Sequence, residues 1–192
     1  MLAQIIVFGV IFGVIAGGIW LYKSSRAEQA ETSEALAEMA RTLETTYDAT
    51  SQSMTGRLNG RAVSIHQEWH RAKPEEHDRY IRMTVEVTAE TTSLELLRQG
   101  SAFAPAFKGD VQTGDRAFDR AFMVRSDNGG KVQQVLTLEV RRQVLDQQWL
   151  GELRVKDGQL RCMGGVGFLR KSHVEEAMIV LRLMVRIADG LR

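Results

Sequence analysis

The sequence predicts an α+β domain, an antiparallel sheet with helices on one side, carried behind a single membrane-spanning helix. Three stretches support this. Residues 1–22, "MLAQIIVFGVIFGVIAGGIWLY", are apolar apart from Gln4. Residues 80–90, "YIRMTVEVTAE", alternate, with Ile81, Met83, Val85 and Val87 on one side and Arg82, Thr84, Glu86 and Thr88 on the other, the pattern of a half-buried strand. The stretch from Ser172, "SHVEEAMIVLRLMVRIADGL", repeats apolar residues at helical spacing and needs a sheet face to cover.

The first 22 residues would rise about 33 Å as a helix, enough to cross a hydrocarbon layer of roughly 30 Å. Trp20 and Tyr22 end the run, where aromatic rings favour the headgroup boundary, and Lys23 and Arg26 follow. No basic stretch precedes the run and no small-residue cleavage site follows it, so a retained anchor is expected rather than a cleaved leader. The basic flank on the C-terminal side orients the following domain toward the cytoplasm. Gly9, Gly13 and Gly17 recur every four residues and would form a bare stripe against which a second helix can pack closely.

Residues 23–55 are read as a juxtamembrane helix and linker, and 56–192 as the α+β domain. Within the first, Leu36, Met39, Ala40, Leu43 and Tyr47 fall at helical spacing, predicting a helix from about Arg26 to Asp48. Its narrow stripe suits either a paired helix beside the membrane or a helix lying on its own domain. Asn59-Gly60 then marks a hairpin turn before the alternating Val63 and Ile65. The charged "HRAKPEEHDR", with Pro74 inside it, predicts a loop before the strand around residues 81–87. Short strands are expected at Ser93–Arg98 and from Phe122, and a turn at Asn128-Gly129-Gly130. "VQQVLTLEVRRQVLDQ" predicts one helix or two, with Thr137 a candidate N-cap, and Asp157-Gly158 predicts a hairpin. Ser172 and Glu175 have the spacing of a capping box for the last helix.

The formal net charge is +1, from 25 basic and 24 acidic residues, which gives no electrostatic reason to expect nucleic acid. A single cysteine, Cys162, excludes an intrachain disulfide. "HQEWH" at 66–70 places its glutamate one position late for a zinc-protease helix. "GGVGFLRKS" at 164–172 lacks the Lys-Ser/Thr ending of a phosphate loop preceded by a glycine. No cofactor or metal is expected. The densest local pattern is "TGDRAFDRAF" at 113–122. Asp110, Asp115 and Asp119 are not spaced as calcium ligands. Asp115 after Gly114 can instead cap a short helix, Phe118 and Phe122 share one face of it, and Asp119 and Arg120 can bond locally. The segment is expected to pin a helix to the sheet.

"GDVQTGDRAFDRAFMV", together with "LTLEVRRQVL" and "LRVKDGQL", resembles a pattern in uncharacterised bacterial proteins that carry an N-terminal membrane segment. The resemblance covers roughly residues 107–160 and centres on Gly114, Asp115, Phe118, Asp119, Arg120 and Phe122. It implies architecture and bacterial origin, with no reaction to carry over. Together these features point to a non-enzymatic interaction or scaffold domain on a bacterial inner membrane. Its expected partners are the bilayer and another membrane protein or a second copy. A small-ligand sensor is the alternative, and an enzyme a more distant one.

Overall fold

The computed structural model describes residues 26–73, 76–88, 90–99, 111–148, 150–164 and 169–192. Residues 1–22, with Gly9, Gly13, Gly17, Trp20 and Tyr22, and the following Lys23 lie outside these. Among the described residues no helix is long and apolar enough to cross a membrane.

Among the described residues the first element is helix α1, which covers residues 26–42. It continues through strands β1 (Thr46–Asp48), β2 (Ser53–Leu58), β3 (Arg61–Lys73), β4 (Glu76–Glu86) and β5 (Glu95–Arg98). Helix α2 (Arg116–Ala121) leads directly into β6 (Phe122–Arg125), and α3 (Gly129–Val135) and α4 (Leu138–Asp146) follow. Strands β7 (Leu150–Lys156) and β8 (Gln159–Gly164) precede the closing helix α5 (Val174–Gly190). The eight strands form one sheet in the order β1-β2-β3-β4-β8-β7-β5-β6, with every paired neighbour antiparallel. The chain therefore leaves β4 and skips two positions to place β5, and the β7–β8 hairpin later fills the gap. Asp157 and Gly158, both with positive φ (51° and 69°), make the tight turn of that hairpin, as Asn59 and Gly60 (51° and 80°) do between β2 and β3.

One cross-strand row defines the core side of the sheet. Tyr47, Met54, Ile65, Met83, Cys162, Leu153, Leu96 and Val124 stand side by side across all eight strands. All but Tyr47 are buried, and Tyr47 packs against the same core. Helix α5 packs over the β4 and β8 part of this row and buries Ala177, Val180, Leu181, Met184, Val185 and Ala188. The stripe of α1 (Ala35, Leu36, Met39, Ala40 and Leu43) is buried in the same cluster, so this helix lies on its own domain. Burial of these faces supplies the main driving force for the fold.

Several local expectations are corrected. Helix α1 stops at residue 42 rather than near 48, because Glu44 takes a left-handed backbone (φ 53°). The Thr45 amide then closes on the Ala40 carbonyl at 2.8 Å, a helix-terminating bond that outweighs the continuing apolar spacing. Tyr47 consequently belongs to β1, and the boundary expected at 55/56 falls inside β2. Gly56 lets β2 pass the helix exit closely: a Cβ there would lie 2.3 Å from Thr45 Cγ2. The loop expected at residues 70–79 is replaced by strand, with pairing running out to Lys73↔Glu76 across a register shift near Arg71. Pro74 itself lies outside the described residues. Asn128 does not make a turn; it caps α3, its side chain accepting from the Lys131 amide. At α5 no Ser172–Glu175 box forms: Ser172 sits in a 3-10 turn, Lys171–His173, and the Arg170 amide donates to His173 Nδ1 at 3.4 Å. Buried Leu169 and Val174 set the entry to α5, so packing chooses the start that the capping pattern would have placed earlier. Thr137 does cap α4, accepting from the Val140 amide at 3.3 Å.

Arg61 fastens the sheet to α5. Buried to 5% exposure, it contacts Asp189 at 2.7 Å. Its other nitrogens donate to the Glu86 carbonyl at 2.7 Å and the Ala188 carbonyl at 3.1 Å. A cation at the last carbonyls of a helix is favoured by the helix dipole.

Candidate functional site

The densest pattern of the sequence becomes a compact joint. Gly114 takes φ 79°, a conformation open to glycine, and turns the chain so that Asp115 caps α2. The Asp115 carboxylate accepts from the amides of Ala117 (3.0 Å) and Phe118 (3.3 Å) and lies 3.4 Å from Arg141 of α4. Asp119 reaches back and accepts from both the amide and the hydroxyl of Thr113, at 3.0 and 2.8 Å. Phe118 and Phe122 are buried and stacked, their ring centres 5.2 Å apart, and Arg98 of β5 lies 4.6 Å over the Phe122 ring. Arg120 is exposed. The two carboxylates face different local partners: Asp115 caps α2 and meets α4 through Arg141, and Asp119 fastens α2 to Thr113.

Hydrogen bonds from the Phe118 amide first, then from Ala117, with the Arg141 charge adding, hold the Asp115 carboxyl below its usual range. Its folded value is thus below its unfolded value. The stabilisation is present above the unfolded carboxylate value of about 3.9 and is lost as pH falls through the folded one. Asp115→Ala is expected to lower the melting temperature by about 2–4 °C at neutral pH. The gap should narrow below about pH 4, as the parent's carboxylate protonates. Melting curves at the two pH values check this; a gap that stays constant would show that charge on the cap contributes nothing.

The other singled-out residues are dispersed. Arg26 lies in α1 and is exposed. His66 and His70 both lie in β3, four residues apart, a separation of about 13 Å along a strand; His77 lies in β4. Among the described residues no group of three or more His, Cys, Asp or Glu is placed to hold a metal ion. Cys162 is buried in the core row. Burial first, and the Glu152 charge second, push its thiol up to about 12, far from thiolate reactivity at neutral pH. Gly164 ends β8, and residues 165–168 of the glycine-rich connection lie outside the described residues.

The feature that motif reading missed is the face of the sheet opposite the helices. There a second row runs across all eight strands: Thr46, Thr55, Ser64, Thr84, Arg161, Arg154, Glu95 and Arg125. Beside it His66 pairs with Arg82, and Arg82 with Met163. At one end Glu95 joins Arg154 and Arg125, and Arg154 also meets Glu152 at 3.1 Å. Over the central strands β3, β4 and β8 the face is concave. An open depression of about 310 Å³ is lined by Ser64, His66, Arg82, Thr84, Gln159 and Arg161 among others, and Arg161 is paired with the Asp157 carboxylate at 3.1 Å. A wider one of about 730 Å³ adjoins it and carries Arg57, Glu86 and Asp157. The alternation of Arg82, Thr84 and Glu86 was the one sequence signal of this surface. Which strands would stand beside β4 was not readable from it.

No protein-family model and no curated protein matches the chain. Among solved structures, the crystal structure of the mycobacterial trehalose monomycolate transport factor A, TtfA, is similar, with a TM-score of 0.58 at 12% identity. The match covers 84% of this chain and 94% of that one. At this identity the likeness is one of fold: an α+β domain of the same general architecture.

Proposed function

We propose that this chain is a membrane-tethered, non-enzymatic interaction module of a bacterial inner membrane, and a member of the motif-bearing family it resembles. The observation that carries the reading is the join between its parts. Three residues in sequence, Lys23, Ser24 and Ser25, lie between the apolar run at 1–22 and Arg26, the first described residue of α1, and α1 is built into the domain core. A tether this short leaves the domain no long leash, so a partner in the same membrane meets it at high effective concentration. The cytoplasmic side follows from Lys23 and Arg26. The fold likeness to a protein named as a transport factor favours an accessory role in transport as the first form of partnership to test.

Helix packing through Gly9, Gly13 and Gly17 is the proposed means of assembly, with a second copy or another spanning helix as the occupant. The test compares the full chain with a Gly9/Gly13/Gly17→Leu variant in membranes, by crosslinking and by identification of co-purifying proteins. The parent is expected to give a discrete adduct that the variant loses, because leucine side chains fill the groove between close-packed helices. A parent that is a partner-free monomer, with a variant that behaves the same, would end this reading.

A further inference from the structure

We infer that the wider depression on the sheet's helix-free face binds a small zwitterion, an ammonium group joined to an oxyanion, either free or as the headgroup of a lipid. It lies over β2, β3, β4 and β8, at the end where the Asn59-Gly60 and Asp157-Gly158 turns sit. Pairing sets Arg57 beside Ala62 on β2 and β3, and Glu86 beside Gln159 on β4 and β8. Val63 stands opposite Val85, so the next position along brings Ala62 level with Glu86. Arg57 and Glu86 therefore flank a single alanine, about 10 Å apart at their backbones, two strand spacings. Thr55, Ser64 and Thr84 form the row behind. Small side chains thus make the floor, and opposite charges stand on its two sides. At about 730 Å³ the space is within the range of ligand sites.

The chemistry of the two sides selects the occupant. Asp157 is committed to Arg161 at 3.1 Å, and Gln159 Oε1 accepts from Arg161 Nε at 3.2 Å. Glu86 is thus the lining carboxylate left to receive a cation. Arg57 donates to the Gly60 carbonyl through one nitrogen, at 2.9 Å, and keeps the rest of its planar fork for an oxyanion. Among the described residues neither Arg57 nor Glu86 stands in an ion pair, because β3 lies between them and holds them apart. A lone anion placed here would be repelled by Glu86, and a lone cation by Arg57. A ligand carrying both charges satisfies both sides, so the site discriminates by repulsion as well as by attraction. The floor is held in shape before a ligand arrives. The Ser64 and Thr84 hydroxyls are hydrogen-bonded to each other at 2.6 Å, and the Glu86 carbonyl accepts from Arg61 at 2.7 Å. Binding then has only the two flanking side chains to order.

The test uses the full chain in discs of phosphatidylglycerol, titrated by calorimetry with glycerophosphoethanolamine and, separately, with dihexanoyl phosphatidylethanolamine. Saturable binding with a Kd of about 1 mM or tighter is expected. Equal or tighter binding of the soluble probe assigns the site to a free zwitterion, and tighter or exclusive binding of the lipid assigns it to a headgroup. Glycerol phosphate and ethanolamine each carry one of the two charges, and each should bind about tenfold more weakly than the zwitterion. Arg57→Gln and Glu86→Gln should each weaken zwitterion binding about tenfold, while Arg186→Gln, on α5, should leave it unchanged. Both substituted side chains are exposed, and the Glu86 group that holds Arg61 is its backbone carbonyl, so the variants keep the fold. Saturation by neither zwitterion would overturn the inference. So would a single-charge probe that binds as tightly as the zwitterion, or an Arg57→Gln or Glu86→Gln variant that binds it as tightly as the parent. The glycine-variant crosslinking is unaffected by either result, so this site and the tethered-module reading can fail separately.

Discussion

Phe118→Ala is expected to destabilise the domain by about 3–5 kcal/mol. Phe118 is fully buried, stacked on Phe122 at 5.2 Å with the ring planes 27° apart. It is held there by a helix of only six residues, too short to persist without tertiary packing. The surroundings have little freedom to close over the lost ring. The Asp115 cap fixes the start of α2, Asp119 fastens it to Thr113, and the chain passes without a break into β6. A cavity that cannot collapse carries the full penalty, which is why the upper half of the range is expected. Urea unfolding of parent and variant checks it through the midpoint, with the slope unchanged if the unfolded state is unaltered. A loss under about 1 kcal/mol would mean that the segment repacks and that α2 does not depend on this ring.

Arg61→Ala is expected to cost about 2–4 kcal/mol. The guanidinium is buried and satisfies the carbonyls of Glu86 and Ala188, besides Asp189. Asp189 is about half exposed, so its carboxylate can be rehydrated when the partner is removed. The penalty arises from the two carbonyls and from lost packing of the long stem. It follows that Asp189→Ala should cost clearly less than Arg61→Ala, and that Arg61→Lys should rescue only part of the loss, since one ammonium cannot span three acceptors in the same geometry. Thermal and urea unfolding of the three variants tests the ordering. Equal losses for Arg61→Ala and Asp189→Ala would show that the ion pair, and not the bridge between β3, β4 and α5, is the stabilising contact.

The elements that were readable share one property: their signal is local and repeated. The stripe of α5, the alternation at residues 81–87 and the Asn59-Gly60 and Asp157-Gly158 turns each state a backbone period or a positive φ within a few residues. The motif at 113–122 was readable for the same reason, since a cap, its helix and two aromatic residues four apart interact within one turn. Where the reading failed, a distant contact outweighed the local preference. The apolar spacing of α1 continues to Tyr47, yet the left-handed Glu44 ends the helix and Tyr47 joins the sheet. The charged stretch around His70 and His77 reads as loop, but each strand of the hairpin supplies the other's hydrogen bonds as far as Lys73 and Glu76. Ser172 and Glu175 match a capping pattern that the burial of Leu169 and Val174 overrides.

By itself, then, the sequence determined the α+β class, the positions of the two tight hairpins, the amphipathic face of α5 and the apolar run that suggests an anchor. Each depends on residues within a turn or two of one another. Strand order was decided only by the tertiary structure, because the position of the β7–β8 hairpin between β4 and β5 is a matter of which faces fit, and no local period encodes it. That insertion brings Arg161 beside Thr84 and, through it, Ser64. That depression therefore exists only in the folded sheet, assembled from residues about a hundred positions apart whose proximity is fixed by pairing and core burial.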